Sequence, residues 1–379
     1  MADIGLPTMR LIFENATDAL LTRAKKGVVG IMVRDTNDLG IHVLTDAKQI
    51  PSTLGEANRA YVTRAFAGSS LGRATKVVLV VFSTTKSADE AEAPTIANAL
   101  PLLNGKNIDY LAGPHDATTA EVAAIKDFVT AYREKNPTLQ AVLPNCAAND
   151  RGIINYTSTV HVGGKVLSPA QYCSRIAGAL AGIPTTSSCT NLRLEEVTAV
   201  ESIATADKTE EEAQNAAIAA GQLIVVHDGT KAVIARGVNS YVTLKDDEKD
   251  ALKKIKVTEA EGLVSYYSNQ AIEESWKGIK INSYDNRALL IVELRLMYKK
   301  LEQQGIFLPD TSGAEIDVEA QRKYMEAQGV DTSNMDDQAV KTYEDLDTHV
   351  FWRGYGIFAD TMEDFEGRFV RGGSASEAA

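Results

Sequence analysis

The sequence has no apolar run near the roughly 20 residues that cross a bilayer. Its opening, MADIGLPTMRLIFENATDALLTRAKKG, lacks a basic segment followed by an apolar signal core, so it reads as a soluble, unexported chain. Only three cysteines occur, Cys146, Cys173 and Cys189, with no CxxC pair. Neither a disulfide framework nor a cysteine zinc site is indicated, and the three read as reduced, buried small hydrophobes. There is no GxGxxG after a strand, no Walker loop, no HExxH and no EF-hand pattern. Nucleotide and metal chemistry have no anchor, and no cofactor is expected. Positive charge is also scarce: 39 Lys and Arg stand against 51 Asp and Glu, a net charge of -12. Phosphate neutralisation needs clustered Lys and Arg, so general nucleic-acid binding is not expected.

What is present is an ordinary globular composition, with 44% hydrophobic residues, 24% charged residues and 27 glycines in 379. At about 150 residues per domain this length makes roughly two to three domains with a sizeable core. Charge is distributed unevenly. Residues 1–76 carry 10 Lys and Arg against 7 Asp and Glu, whereas residues 307–379 carry 6 against 16. Ends of opposite sign favour head-to-tail contact between copies, although an acidic end is also what a solvated surface looks like.

The element pattern is α/β. GVVGIMV (27–33) and IHVL (41–44) read as strands, and Leu54, Ala57, Tyr61, Val62 and Ala65 recur at helical spacing. VVLVVF (77–82) has no polar break, which is the mark of a parallel strand covered on both faces. A helix over 94–103, IDYLAG (108–113), a capping box at Thr118-x-x-Glu121 and LQAVLP (139–144) follow in alternation. Ser168, Pro169 and Gln171 open a small-residue helix that runs to Gly182. Thr209-x-x-Glu212 opens an alanine-rich one before the strand LIVV (223–226). Asp228-Gly229 predicts a hairpin turn at a sheet edge. Beyond about residue 257 the helices lengthen. Thr258-x-x-Glu261 predicts one start, 285–304 predicts a helix with a single apolar stripe, and 318–327 predicts another. Residues 350–370 alternate in strand fashion around glycines.

Constellations that could carry chemistry are weak. Gly68-Ser69-Ser70-Leu71-Gly72 satisfies GxSxG, but it follows a helix and precedes a strand, the reverse of a nucleophile elbow. His115 and Asp116 are adjacent, a poor geometry for a base and its orienter. Gly163-Gly164-Lys165 lacks the first glycine and the Ser or Thr of a phosphate loop and reads as a hairpin turn. A hydrolase using Ser70 therefore stands only as the rival reading.

The two ends are what this leaves unexplained. Thr8, Met9, Arg10, Leu11, Ile12 and Phe13 read as a strand outside any domain. Phe351, Trp352, Tyr355, Ile357 and Phe358 read as apolar residues exposed on a C-terminal strand pair. Strand addition onto a neighbouring copy would satisfy both, and a heterologous, non-closing contact of that kind builds filaments or tubes.

Several stretches then carry a likeness in the same order along the chain: AGALAGIPTTSSCTNLRLEEVTAVE (177–201), QLIVVHDGTKAVIARGVNSYVTL (222–244), KKIKVTEAEGL (253–263), INSYDNRALL (281–290), EIDVEAQRKYMEAQGVDTSNMDDQ (315–338) and ADTMEDFEGRF (359–369). Together with the opening strand they resemble the contractile tail sheath proteins of myophages, above all the short sheaths of Gram-positive phages and phage-tail-like bacteriocins. The resemblance implies a non-enzymatic structural subunit. Such a subunit polymerises as stacked rings around an inner tail tube in an extended, metastable state, and contracts on baseplate triggering to drive the tube through the target envelope.

It also implies an N-terminal arm (1–24) and a subtilisin-like α/β core with a central, largely parallel sheet covered by helices (25–256, divided at 86/87). A helix-rich α+β C-terminal domain (257–371) ending in an arm (348–371) and a disordered polar tail (372–379) complete the plan. The partners implied are the chain itself, the tube, the baseplate and the tail terminator, with no nucleic acid or membrane insertion. The place implied is a virion tail or tail-like particle assembled in the bacterial cytoplasm. Residues 8–13 are expected to pair in trans with 350–357, including Val350, or with 366–370, including Phe369. The basic residues Arg287, Arg295, Lys299 and Lys300 are expected to face the inner tube. A non-contractile filament subunit with the same arm exchange is a further rival.

Overall fold

The computed structural model of the chain describes residues 27–85, 93–246 and 248–368. The expected N-terminal strand, residues 8–13, and Phe369 lie outside the described residues.

A seven-stranded sheet organises the first two-thirds of the chain. Its strands are β1 (Val28–Arg34), β2 (Gly40–Leu44), β3 (Lys76–Phe82), β4 (Tyr110–Ala112), β5 (Gln140–Pro144), β6 (Ile153–Tyr156) and β10 (Gln222–Leu223), in the order β10-β6-β5-β4-β1-β3-β2. Every neighbouring pair is parallel except β2 with β3. Helices α1 (Glu56–Ala65), α2 (Ile96–Ala99), α3 (Thr119–Arg133), α4 (Pro169–Gly182) and α5 (Glu210–Ala219) connect or follow the strands. The unbroken apolar run of β3 is explained by two cores. Val77, Leu79 and Val81 join α1 and α4 on one face, while Val78, Val80 and Phe82 join α2 and α3 on the other. The capping boxes read at Thr118, Ser168 and Thr209 are all formed.

Beside this sheet, β7 (Val160–Val162), β8 (Lys165–Leu167) and β9 (Val197–Val200) make a three-stranded antiparallel sheet, with Gly163 and Gly164 in the turn between β7 and β8. Three local expectations are corrected. LIVV is not one strand: Leu223 ends β10 and Val225 begins β11 (Val225–His227), which pairs with β12 (Ala232–Ile234) as a separate hairpin rather than at the edge of the main sheet. The helix expected over 94–103 is one α turn followed by a 3-10 turn over Leu100–Leu103, where Pro101 withholds a donor. Helix α6 (Ile255–Ser275) starts three residues before Thr258. The Thr258 hydroxyl, far from capping it, accepts a bond from Asn239 Nδ2 at 3.0 Å inside the protein.

A third core gathers α6, α7 (Tyr284–Gln303) and β13 (Gly313–Ile316), with α8 (Val318–Ala327), α9 (Asp337–Thr342) and β14 (Trp352–Tyr355) around it. Helix α6 bridges the cores: Ile255 packs with the sheet, and Ala260, Leu263, Tyr267 and Ala271 pack with the helices.

Candidate functional site

In open α/β sheets, ligands sit at the carboxyl ends of the strands where the strand order reverses, here beside β1 and its neighbours β3 and β4. That crevice is stitched across by charge. Arg34, at the end of β1, pairs with Asp116 at 2.5 Å and with Glu121, the capping-box residue of α3. Asp35 accepts from the Gly55 amide and from Asn58, anchoring the start of α1. Burial would push its carboxyl up, but these donors and the Asn37 and Thr36 amides hold it at about 2. His115 stands edge-on to Tyr61, not beside a serine.

The GxSxG turn lies between the end of α1 and the start of β3, at the amino-terminal ends of the strands, whereas His115 follows the carboxyl end of β4. Ser69 and Gly72 close it by backbone bonds, and Arg175 of α4 donates to the Gly68 carbonyl at 2.7 Å while pairing with Glu196. Ser70 is exposed on a pinned turn. Among the described residues, no group of three or more His, Cys, Asp or Glu is placed to hold a metal.

The C-terminal segment is where the sequence and the structure differ most. Strand β14 pairs antiparallel with β13, Trp352 opposite Ile316 and Tyr355 opposite Gly313. The pairing continues beyond it: Leu308 donates to the Ile357 carbonyl, and Ala359 to the Ile306 carbonyl. Glycine is required here, because a Cβ on Gly354 would lie 2.7 Å from the Tyr298 ring and one on Gly356 2.6 Å from Phe307. Three residues expected on free arms pack within their own domain. Phe351 lies against Tyr324 and His349, Trp352 packs on the helical core, and Phe358 stacks on Phe307 with centroids 5.1 Å apart. Val350, Tyr355 and Ile357 do remain exposed, the last two at 52% and 57%. The edge of β14 away from β13 carries no strand among the described residues.

The basic set on α7 also divides. Arg287 is corrected from surface to interior: it is 2% exposed and binds Asn282 Oδ1 and the Lys341 and Tyr343 carbonyls. Arg295 is exposed but reaches back to the Ala314 carbonyl at 2.6 Å, Lys299 pairs with Glu302 and Asp310, and Lys300 is half-buried. The outward face of α7 also shows Val292 and Leu296.

Comparison with known proteins accounts for a fold whose crevice is bridged by Arg34 and two acidic partners. A family model described as the phage tail sheath protein central domain matches residues 89–240. The tail sheath protein of Clostridium phage phiCD119 is 30% identical over 342 residues, 89% of this chain and 91% of that protein. The sheath tail protein of Desulfitobacterium hafniense superposes with a TM-score of 0.63 at 15% identity, covering 77% of this chain and 90% of its own. The helical sheath of the anti-feeding prophage, in its contracted state, superposes with a TM-score of 0.62 at 13% identity, covering 92% and 93%. At those identities the two structures share the fold, and the matched proteins are structural rather than enzymes, which sets aside the hydrolase reading of Ser70. With 30% identity to a tail sheath protein sustained over nine-tenths of its length, the chain belongs to the phage tail sheath protein family.

Proposed function

We propose that the chain is the repeating subunit of a contractile sheath. It polymerises as stacked rings around an inner tail tube, is held extended until a baseplate triggers it, and is closed off by a terminator at the far end. It works in a virion tail or tail-like particle assembled in the bacterial cytoplasm. The observation that carries this reading is β14, a strand with one edge paired at home and the other open, flanked by exposed Val350, Tyr355 and Ile357. An open edge next to apolar surface is a template for another chain's strand. Main-chain pairing also suits a lattice whose domains slide, because its hydrogen bonds keep their geometry while linkers absorb the motion.

Residues 8–13 of a neighbouring copy are the occupant we assign to that edge, with residues 366–370 completing the link. Removing residues 1–13 should abolish polymers while leaving a monomer of unchanged thermal stability; polymers of normal length from the shortened chain would refute the assignment. The inner-tube contact is assigned to the outer face of α7, with Leu296, Val292, Arg295 and Lys299, and without Arg287. Reversing the charge of Arg295 and Lys299 together should impair assembly on tubes but not self-assembly, and unchanged tube-templated assembly would remove α7 from the inner wall.

A further inference from the structure

We infer that residues 357–364 are an intramolecular strap, latched onto the sheet domain by Glu363, so that the C-terminal arm leaves the subunit at residue 365 and not near 348. The strap begins on the helical domain, where the backbone bonds of Ile357 and Ala359 to Leu308 and Ile306 hold it. It then crosses to the other domain. Lys256 Nζ donates to the Ala359 carbonyl at 2.8 Å, and Lys254 pairs with Asp360.

Glu363 enters a socket built from three separate segments. Ser188 and Thr190 donate their hydroxyls to one carboxylate oxygen at 3.0 and 2.8 Å, and Arg236 and Lys254 approach the other at 3.3 Å each. Arg236 also pairs with Asp364. The glutamate side chain is 5% exposed, while Met362 and Phe365 on either side are 85% and 78% exposed. A carboxylate so deeply buried is stable only with its charge matched and its lone pairs bonded, and this socket does both.

The socket is itself fixed. The Gly237 amide donates to Thr190 Oγ1 at 3.0 Å, the Thr190 amide to Ser188 Oγ at 3.1 Å, and a Cβ on Gly237 would lie 2.7 Å from Cys189 Sγ. The latch has a mechanical consequence that rests on the sheath reading. A pull on the terminal residues is delivered past residue 365 to the 188–190 loop, Arg236 and Lys254 of the sheet domain, rather than peeling β14 from β13.

The test is amide hydrogen exchange on the full, unassembled chain, comparing wild type with Glu363→Gln and, separately, Arg236→Gln. Peptides covering 357–364 should exchange about tenfold faster or more in Glu363→Gln and to a lesser degree in Arg236→Gln, with β1 and β3 unchanged. Raising wild-type salt should move the same peptides in the same direction, which keeps the test open if a variant fails to fold. Strap peptides that are unprotected in wild type, or unaffected by either variant and by salt, would overturn the latch. Because the measurement is made on the monomer, its failure is distinct from a failure to form sheaths.

Discussion

At Arg287 a charge that sequence pattern places on a solvated helix face is turned inward. Its position continues the stripe of Leu290, Leu294 and Met297 by one turn, and the guanidinium donates to the half-buried Lys341 and Tyr343 carbonyls at the end of α9. Burial pushes it down from its ordinary value, and the nearby Glu344 carboxylate opposes that. Arg287→Met keeps the stem but orphans those acceptors, so urea unfolding should show a loss of about 2–4 kcal/mol; a loss below about 0.5 kcal/mol would return Arg287 to the surface set.

Asp35 makes a second prediction at this scale. Its folded-state value of about 2 lies below the ordinary 3.8, so its contribution is complete above pH ~4 and is lost as pH falls toward 2. In Asp35→Asn the thermal midpoint should be lower at neutral pH and flatter over that acid window, and an acid limb identical to wild type would contradict the assignment.

Among the elements, those built from local rules were legible. The two-faced run of β3, the capping boxes of α3, α4 and α5, and the bounds of α8 follow from side-chain period and cap chemistry alone. The start of α6 was not, because its cap position, Lys254, offers no side-chain acceptor and the first turn is held by tertiary packing instead. The home pairing of β14 was not legible either. Alternation identifies a strand, but only the fold shows that its partner is β13 of the same chain.

Close helix packing is likewise invisible in one dimension. A Cβ on Gly178 of α4 would sit 2.1 Å from the Ala65 carbonyl of α1, so the two backbones touch. Gly178→Ala must push α4 off α1 and should cost about 2 kcal/mol or more in chemical denaturation; a neutral result would mean that the helices stand farther apart than described here.

For the molecule as a whole, the acidic C-terminal end has a more specific meaning than either a solvated surface or a head-to-tail attraction. Asp360, Glu363 and Asp364 are spent on Lys254 and Arg236 of the same chain, tying its two parts together. Four of the stretches that carry the family likeness, 177–201, 222–244, 253–263 and 359–369, supply Thr190, Arg236, Lys254 and Glu363 to that one socket. Their presence was legible in the sequence, but their convergence was not, since it depends on tertiary approach across more than a hundred residues.

The same view leaves an unpaired β14 edge and exposed Met362 and Phe365 on a subunit whose family builds sheaths. Polymerisation of this chain by itself into a helical tube is tested most directly by negative-stain electron microscopy of the purified chain at high concentration. Hollow helical tubes wider than an inner tail tube are the expected result. Particles that stay monodisperse under those conditions, with and without added inner tubes, would contradict it.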